Sequence, residues 1–254
     1  MQRTVIVLVA LLALGALLGG AFAWKAFGWR RGLLALKNGS KDVAGIHVYA
    51  ADDSRLLASG VGPDAIFIGA SHTLDWGDLD ARFPGMDLVN RGVGGQLVPQ
   101  YVLRFRQDVL DLHPKAVVIE GCAINATYEV PLRTLADSYA TMAELARMHG
   151  IEPILATILP VGAPWEKRMP GTNEQVSRMN ETIRDLAASR GYPLVDYYAV
   201  IAGSDGLLPA SESEDGMHCS AKIYDRLAVA LRPVLENVLR SATATAVPPS
   251  RGPS

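Results

Sequence analysis

Cysteine is scarce in this chain, with only Cys122 and Cys219 among 254 residues. Two cysteines are too few for a disulfide scaffold, and without a Cys-x-x-Cys or a second Cys/His pair there is no zinc site to read. Positive charge is not in excess either. Lysine and arginine total 24 against 26 aspartates and glutamates, for a formal net charge of −2, and the basic residues are scattered through helical segments. No stripe is left for a polyanion, so nucleic-acid binding is excluded as a function class. Internal repeats are also missing.

Charge is absent altogether from Thr4 to Trp24, TVIVLVALLALGALLGGAFAW. As a helix rising about 1.5 Å per residue this stretch spans roughly 30 Å, the thickness of a bilayer core. Ala21-Phe22-Ala23 also fits a small-x-small cleavage site, so the rival reading is a removable signal peptide. Lys25, Arg30 and Arg31 follow the span and only Arg3 precedes it, which by the positive-inside rule would hold the domain in the cytoplasm. The cleavage-like motif and the N-terminal position weigh the other way. The expectation is a single-pass anchor with an extracytoplasmic domain, or a secreted protein if cut after Ala23.

The sequence therefore divides into an anchor or signal segment (1–24), a juxtamembrane segment of weak periodicity (25–60), a domain (61–240) and a tail (241–254). The tail, SATATAVPPSRGPS, has no apolar periodicity and is expected to be disordered. In the domain, apolar runs at 64–70, 87–92, 116–121, 153–159 and 193–198 suit strands buried on both faces. Amphipathic helix patterns cover 98–112, 132–149, 173–190 and about 220–240. Strand and helix in alternation predict a three-layer α/β/α sandwich around a mostly parallel five-stranded sheet.

The first strong strand stops at an unusual step, "IFIGASHTLDW", in which Gly69 and Ala70 leave Ser71 uncrowded before a helix. In open α/β sheets ligands gather beyond the carboxyl ends of the strands, a suitable place for a nucleophile; the alternative is that Ser71 caps the next helix. A serine nucleophile needs a base, and there are five histidines. His113 and His149 sit at helix C-termini, where a cation is structurally useful, His47 lies in the juxtamembrane segment, and His72 adjoins the serine. His218 differs because it follows Asp215 at a three-residue spacing with Gly216 between them. The chain can fold back there so that the carboxylate meets Nδ1 and leaves Nε2 as the base. Alternatively, Asp215 and His218 cap the C-terminal helix.

Together these residues resemble the SGNH (GDSL-like) hydrolase superfamily of serine esterases, lipases and acyl-transfer relatives, in order over roughly residues 62–238. Gly69-Ala70-Ser71 is similar to its nucleophile block, "VNRGVGGQ" to its glycine block and "VVIEGCAINAT" to its asparagine block, with Asp215 and His218 in place of its Asp-x-x-His. The resemblance implies a flavodoxin-like sheet, a Ser71, Asp215, His218 triad, and an oxyanion hole from the Ser71 and Gly95 N–H groups and the Asn125 side chain. It implies no cofactor and no metal. Ala70 stands where the family has aspartate, His72 where it has leucine, and Ala-Ile-Asn-Ala where Gly-x-Asn-Asp is common. These departures bear on what supports the site and on the register of Asn125. His72 is a candidate substrate contact, or else a solvated residue after the turn.

The expected activity is a membrane-tethered or exported serine esterase acting on a small-molecule, lipid or glycan O-acyl ester through an acyl-enzyme. An O-acyltransferase to carbohydrate would use the same residues. A non-catalytic envelope protein binding glycan or lipid is the reading from another class, kept open by Ala70 and Ala126. Protein partners are not legible. Cys122 and Cys219 should approach the same end of the sheet, where a disulfide between them is conceivable, though two free thiols are the commoner outcome. The long connection 160–171, with Trp165 and Met169, should cross the same face as a pocket wall or simple crossover. Asn38, Asn125 and Asn180 each begin a glycosylation triplet.

Overall fold

The structure, a computed structural model, describes residues 42–245, with side chains to 242. The expected anchor or signal helix therefore lies outside the described residues, as do residues 246–254 of the tail. Among the described residues no helix is long and apolar enough to cross a membrane. The chain divides into Met1–Gly45 and Ile46–Ser254, and the architecture below is that of the second unit.

Five strands form one parallel sheet: β1 Ala65–Gly69, β2 Leu88–Gly92, β3 Ala116–Glu120, β4 Glu152–Ala156 and β5 Leu194–Val195. Their order is β2-β1-β3-β4-β5, and each pairing is parallel. The helices are α1 Ala50–Ser59, α2 Ser71–Leu74, α3 Leu79–Arg82, α4 Val98–Asp108, α5 Ile124–Thr127, α6 Leu132–Met148, α7 Ala163–Arg168, α8 Thr172–Arg190, α9 Tyr197–Ile201 and α10 Ala221–Thr245.

The central strands β1 and β3 are buried at every position, which is why they read as continuous apolar runs. Successive side chains of a strand point to opposite faces. Ile66, Ile68, Val117 and Ile119 meet Phe105, Tyr139, Met142 and Val176 on one face. Phe67, Val118 and Ile154 meet Trp76, Tyr224, Leu227 and Leu231 on the other. Full burial of each large aliphatic side chain contributes about 1.5–3 kcal/mol, so these two layers dominate stability.

Several expected boundaries shift for local reasons. The fifth strand covers two residues instead of 193–198, because the Asp196 side chain accepts from the Ala199 N–H and starts α9. The pattern over 98–112 breaks after Asp108 into a 3-10 turn at Leu110–Leu112, closed by His113 in the left-handed region at φ 51°. The last helix runs past Arg240 to Thr245, and Ser241 Oγ donates back to the Asn237 carbonyl at 3.0 Å. Of the segment ahead of residue 61, residues 46–60 hold α1 and belong to this unit. Arg91, 1% exposed, donates to Asp53 Oδ1 and pairs with Asp52, while Tyr49 Oη donates to the Gly92 carbonyl at 2.5 Å. The end of β2 is thereby tied to the residues around α1.

Candidate active site

In this strand order β1 is flanked by β2 and β3, so the chain leaves β1 for β2 in one direction and reaches β3 in the other. Crevices at such switch points, beyond the carboxyl ends of the strands, are where open α/β sheets bind ligands. Ser71 follows β1 there and Cys122 follows β3, with Ser71 Oγ 3.8 Å from Cys122 Sγ. Ser71 begins α2, but the flanking cap residue is Ala70 and no side chain caps the helix. The serine hydroxyl is therefore not engaged in capping, and as the first helical residue Ser71 has an N–H with no intrahelical acceptor.

Two glycines set the position of α2. Gly69 and Gly92 stand opposite one another in the β1–β2 register. A Cβ on Gly69 would lie 1.9 Å from Thr73 Oγ1 and 2.7 Å from the Glu120 carbonyl oxygen, and one on Gly92 would lie 2.1 Å from the Leu74 nitrogen. The helix descends into space that only glycine leaves open. Gly92→Ala should thus lower unfolding free energy by about 1–3 kcal/mol through overpacking against backbone that has no rotamer to yield. A lower denaturant midpoint with an unchanged slope is the expected readout.

Beneath α2 lies a buried polar cluster. Glu120, at the end of β3, accepts from Thr73 Oγ1 at 2.7 Å, Trp76 Nε1 at 3.0 Å and Tyr197 Oη at 3.0 Å. Burial raises the Glu120 carboxyl above its ordinary value, opposed by those three donors. Arg104, wholly buried on α4, donates to the Gly69 carbonyl at 2.9 Å and to Gln96 Oε1 at 2.8 Å, and pairs with Asp108. One guanidinium thus joins the strand end before Ser71 to the loop carrying Gly94 and Gly95. Asn90 does similar work, donating to the Thr73 carbonyl at 2.7 Å and accepting from the Gly92 N–H at 2.8 Å.

Gly95 is exposed in that loop with φ 78°, and its N–H has no acceptor among the described residues. Asn125 is wholly buried on α5. Its Oδ1 accepts from the Val98 N–H at 2.9 Å, and Nδ2 donates to the Cys122 carbonyl at 2.9 Å. The Asn125 amide therefore ties the loop after β3 to the start of α4, with one Nδ2 hydrogen left over. Burial of Asn125 and Asn180, at 0% and 1% exposure, closes both glycosylation triplets in the folded domain; Asn38 lies outside the described residues.

The loop ahead of α10 carries Asp215 and His218. Gly216 takes φ 81°, and the chain folds back so that Asp215 Oδ2 meets His218 Nδ1 at 2.8 Å. Asp215 Oδ1 accepts the Met217 and His218 N–H groups at 2.8 and 2.9 Å. Although desolvation opposes it, these N–H donors and His218 hold the Asp215 carboxyl well below the usual range. With its oxygens so engaged Asp215 does not cap α10, which begins at Ala221. The His218 side chain is 52% exposed and makes no hydrogen bond to Ser71.

His72 connects the two halves. It is 5% exposed, which rules out the solvated alternative, and its Nε2 bonds the Met217 carbonyl at 2.8 Å. The neighbour of Ser71 is thus bonded to the neighbour of His218. Beside this loop, the 160–171 connection contains α7. The Gly162 N–H donates to the Gly216 carbonyl at 2.7 Å, and Trp165 Nε1 donates to Thr127 Oγ1 at 3.0 Å. It braces the Asp215–His218 loop against α5. A groove of about 500 Å³ borders that loop, lined by Glu212, Glu214, Asp215, His218 and Cys219 among others. Both cysteines are free thiols. Among the described residues no group of three or more His, Cys, Asp or Glu side chains is arranged to hold a metal ion.

Residues 57–226 match the model of the GDSL-like lipase/acylhydrolase family. The fold is similar to a GDSL-like lipase from Bacteroides thetaiotaomicron VPI-5482, at 26% identity and TM-score 0.68 over 76% of this chain and 98% of that one. An acetyl xylan esterase from Geobacillus stearothermophilus shares the fold at 21% identity and TM-score 0.56, over 68% and 94% of the two chains. The lipoprotein YqeF of Bacillus subtilis (strain 168), itself uncharacterized, is 28% identical over 143 residues, which are 48% of this chain and 58% of YqeF. By the extent of the family match, this chain is a member of the GDSL-like lipase/acylhydrolase family, within the SGNH hydrolase superfamily.

Proposed function

We propose that this chain is a serine esterase that cleaves short O-acyl esters through an acyl-enzyme, with Ser71 as nucleophile, His218 as base and Asp215 as its orienting carboxylate. The observation that carries this reading is the His72–Met217 hydrogen bond, which brings the Asp215–His218 loop to the strand end bearing an uncapped serine. Ser71 Oγ attacks the ester carbonyl while His218 Nε2 takes its proton. The oxyanion is received by the Ser71 and Gly95 N–H groups and the remaining Nδ2 hydrogen of Asn125, each such donor being worth about 3–4 kcal/mol in the transition state. His218 then protonates the leaving alcohol, and the same base activates water to release the acid. The half-exposed His218 supports water as the acceptor over transfer to a carbohydrate, because transfer requires that water be kept away from the acyl-enzyme.

The uncharged stretch at residues 4–24 and the lipoprotein relative support a domain held at a membrane or exported. The test is fluorophosphonate labelling of the full-length protein beside Ser71→Ala, with hydrolysis of p-nitrophenyl acetate measured on both. Labelling and turnover are expected in the wild type and neither in the variant. A folded wild type that takes no label would overturn the hydrolase reading in favour of a glycan- or lipid-binding module.

A further inference from the structure

Cys122 has no part in the reaction just proposed, yet its sulfur is the atom that touches the Ser71 hydroxyl, at 3.8 Å. The side chain is 1% exposed. His72, the residue after Ser71, interacts electrostatically with Cys122; it is 5% exposed, with Nε2 on the Met217 carbonyl and Nδ1 lacking a hydrogen-bond partner. An unpartnered imidazole nitrogen in the interior needs an explanation, and the thiol supplies one. Burial acts against ionising either group, but the imidazolium, the Ile124 N–H and the Ser71 hydroxyl bring Cys122 down to about 7. Negative charge on Cys122 and the Met217 carbonyl bring His72 up to about 9. Cys219 provides the contrast, since burial and the nearby negative groups push its thiol up to about 12.

We propose that Cys122 is an oxidative modification site for hydrogen peroxide, and that its sulfenic acid blocks Ser71. The Cys122 thiolate attacks one peroxide oxygen, forming the S–O bond as the O–O bond breaks. The sulfur loses two electrons, and the departing hydroxide takes a proton from the His72 imidazolium and leaves as water. The products are Cys122 sulfenic acid, neutral His72 and one water. A small thiol reverses the change by condensing with the sulfenic acid to a mixed disulfide and water, and a second thiol then releases Cys122. An added oxygen on a sulfur in contact with Ser71 Oγ crowds the place an ester carbonyl must enter. The blocking of Ser71 rests on the esterase reading, whereas the oxidation does not.

The experiment treats the full-length protein with hydrogen peroxide at neutral pH, removes the peroxide with catalase, and either adds fluorophosphonate or unfolds the protein in dimedone for peptide mass spectrometry. The expected result is a dimedone adduct on Cys122 ahead of Cys219, with label uptake reduced about tenfold and restored by dithiothreitol. Cys122→Ala should keep its own untreated level of labelling through the peroxide step. His72→Gln, which can still donate to Met217, should form the Cys122 adduct about tenfold more slowly, because the thiolate loses its counter-ion. An adduct on Cys219 in place of Cys122, or equal peroxide inactivation of Cys122→Ala, would overturn the proposal. If untreated protein takes no fluorophosphonate the esterase reading fails, and the adduct position still decides the oxidation.

Discussion

Asp215→Asn is expected to leave the domain folded while lowering kcat/KM for p-nitrophenyl acetate by about 10⁴-fold. An asparagine oxygen can still accept the Met217 and His218 N–H groups that Asp215 Oδ1 now receives, so the turn survives. Its amide nitrogen, however, would face His218 Nδ1 where Oδ2 now sits at 2.8 Å. Two donors cannot share that contact, so the ring must carry its proton on Nε2, the atom that should accept the proton of Ser71. A charge argument alone predicts less, since removal of a half-exposed carboxylate would be softened by solvent. The paired measurement is the rate against the thermal midpoint. Loss of rate with an unchanged midpoint is the outcome on the proposed mechanism, and retained rate would remove Asp215 from it.

Arg104→Met should give the largest loss of stability, about 3–5 kcal/mol, because it leaves Asp108 charged and buried beside an apolar side chain. Arg104 and Asp108 are 0% and 1% exposed, and among the described residues no other basic group is within salt-bridge distance of Asp108. The change also strips the Gly69 carbonyl and Gln96 Oε1 of their donor, so the strand end and glycine loop flanking Ser71 lose their shared anchor. For a domain of this size the thermal midpoint should fall on the order of 10 °C. Arg104→Met combined with Asp108→Leu should recover much of that loss, since both charges are then gone. A double variant no more stable than the single would show that the guanidinium acts through its carbonyl and amide contacts instead.

The sheet was legible because burial on two faces writes itself as apolar runs; β1 and β3 are examples, and their flanking turns and helices follow the same signals. Ser71, Asp215 and His218 stood out because glycines and polar residues interrupt the apolar pattern at the strand ends and ahead of the last helix. What was not legible is the scaffolding beneath them. Arg104 lies within an amphipathic pattern in which an arginine reads as solvated surface, and only the fold makes it an interior ligand of a strand carbonyl. Glu120 carried a weak signal, an acid closing an otherwise apolar run, but its three donors come from α2, the turn after it and α9, which no local pattern relates. Asn125 reads as a donor to substrate from its place in the block. In the folded chain most of its hydrogen-bonding capacity serves Val98 and Cys122. His72 reads as solvated after the turn because the short α2 that turns it inward is set by Gly69 and Gly92, and Gly92 lies twenty residues away in sequence.

The attachment of β2 to the residues around α1 separates two notions of a domain. Likeness to the family begins at residue 57, inside α1. A fragment cut at residue 61 would contain the whole sheet and every proposed catalytic group. It would also contain Arg91 with neither Asp52 nor Asp53, an interior cation whose counter-ions were discarded with α1. Such an orphaned charge destabilises far more than a missing surface pair, and the Gly92 carbonyl would lose Tyr49 as well. The smallest piece able to stand alone is therefore larger than the smallest piece that can be recognised. Excision for biochemistry should begin before Tyr49.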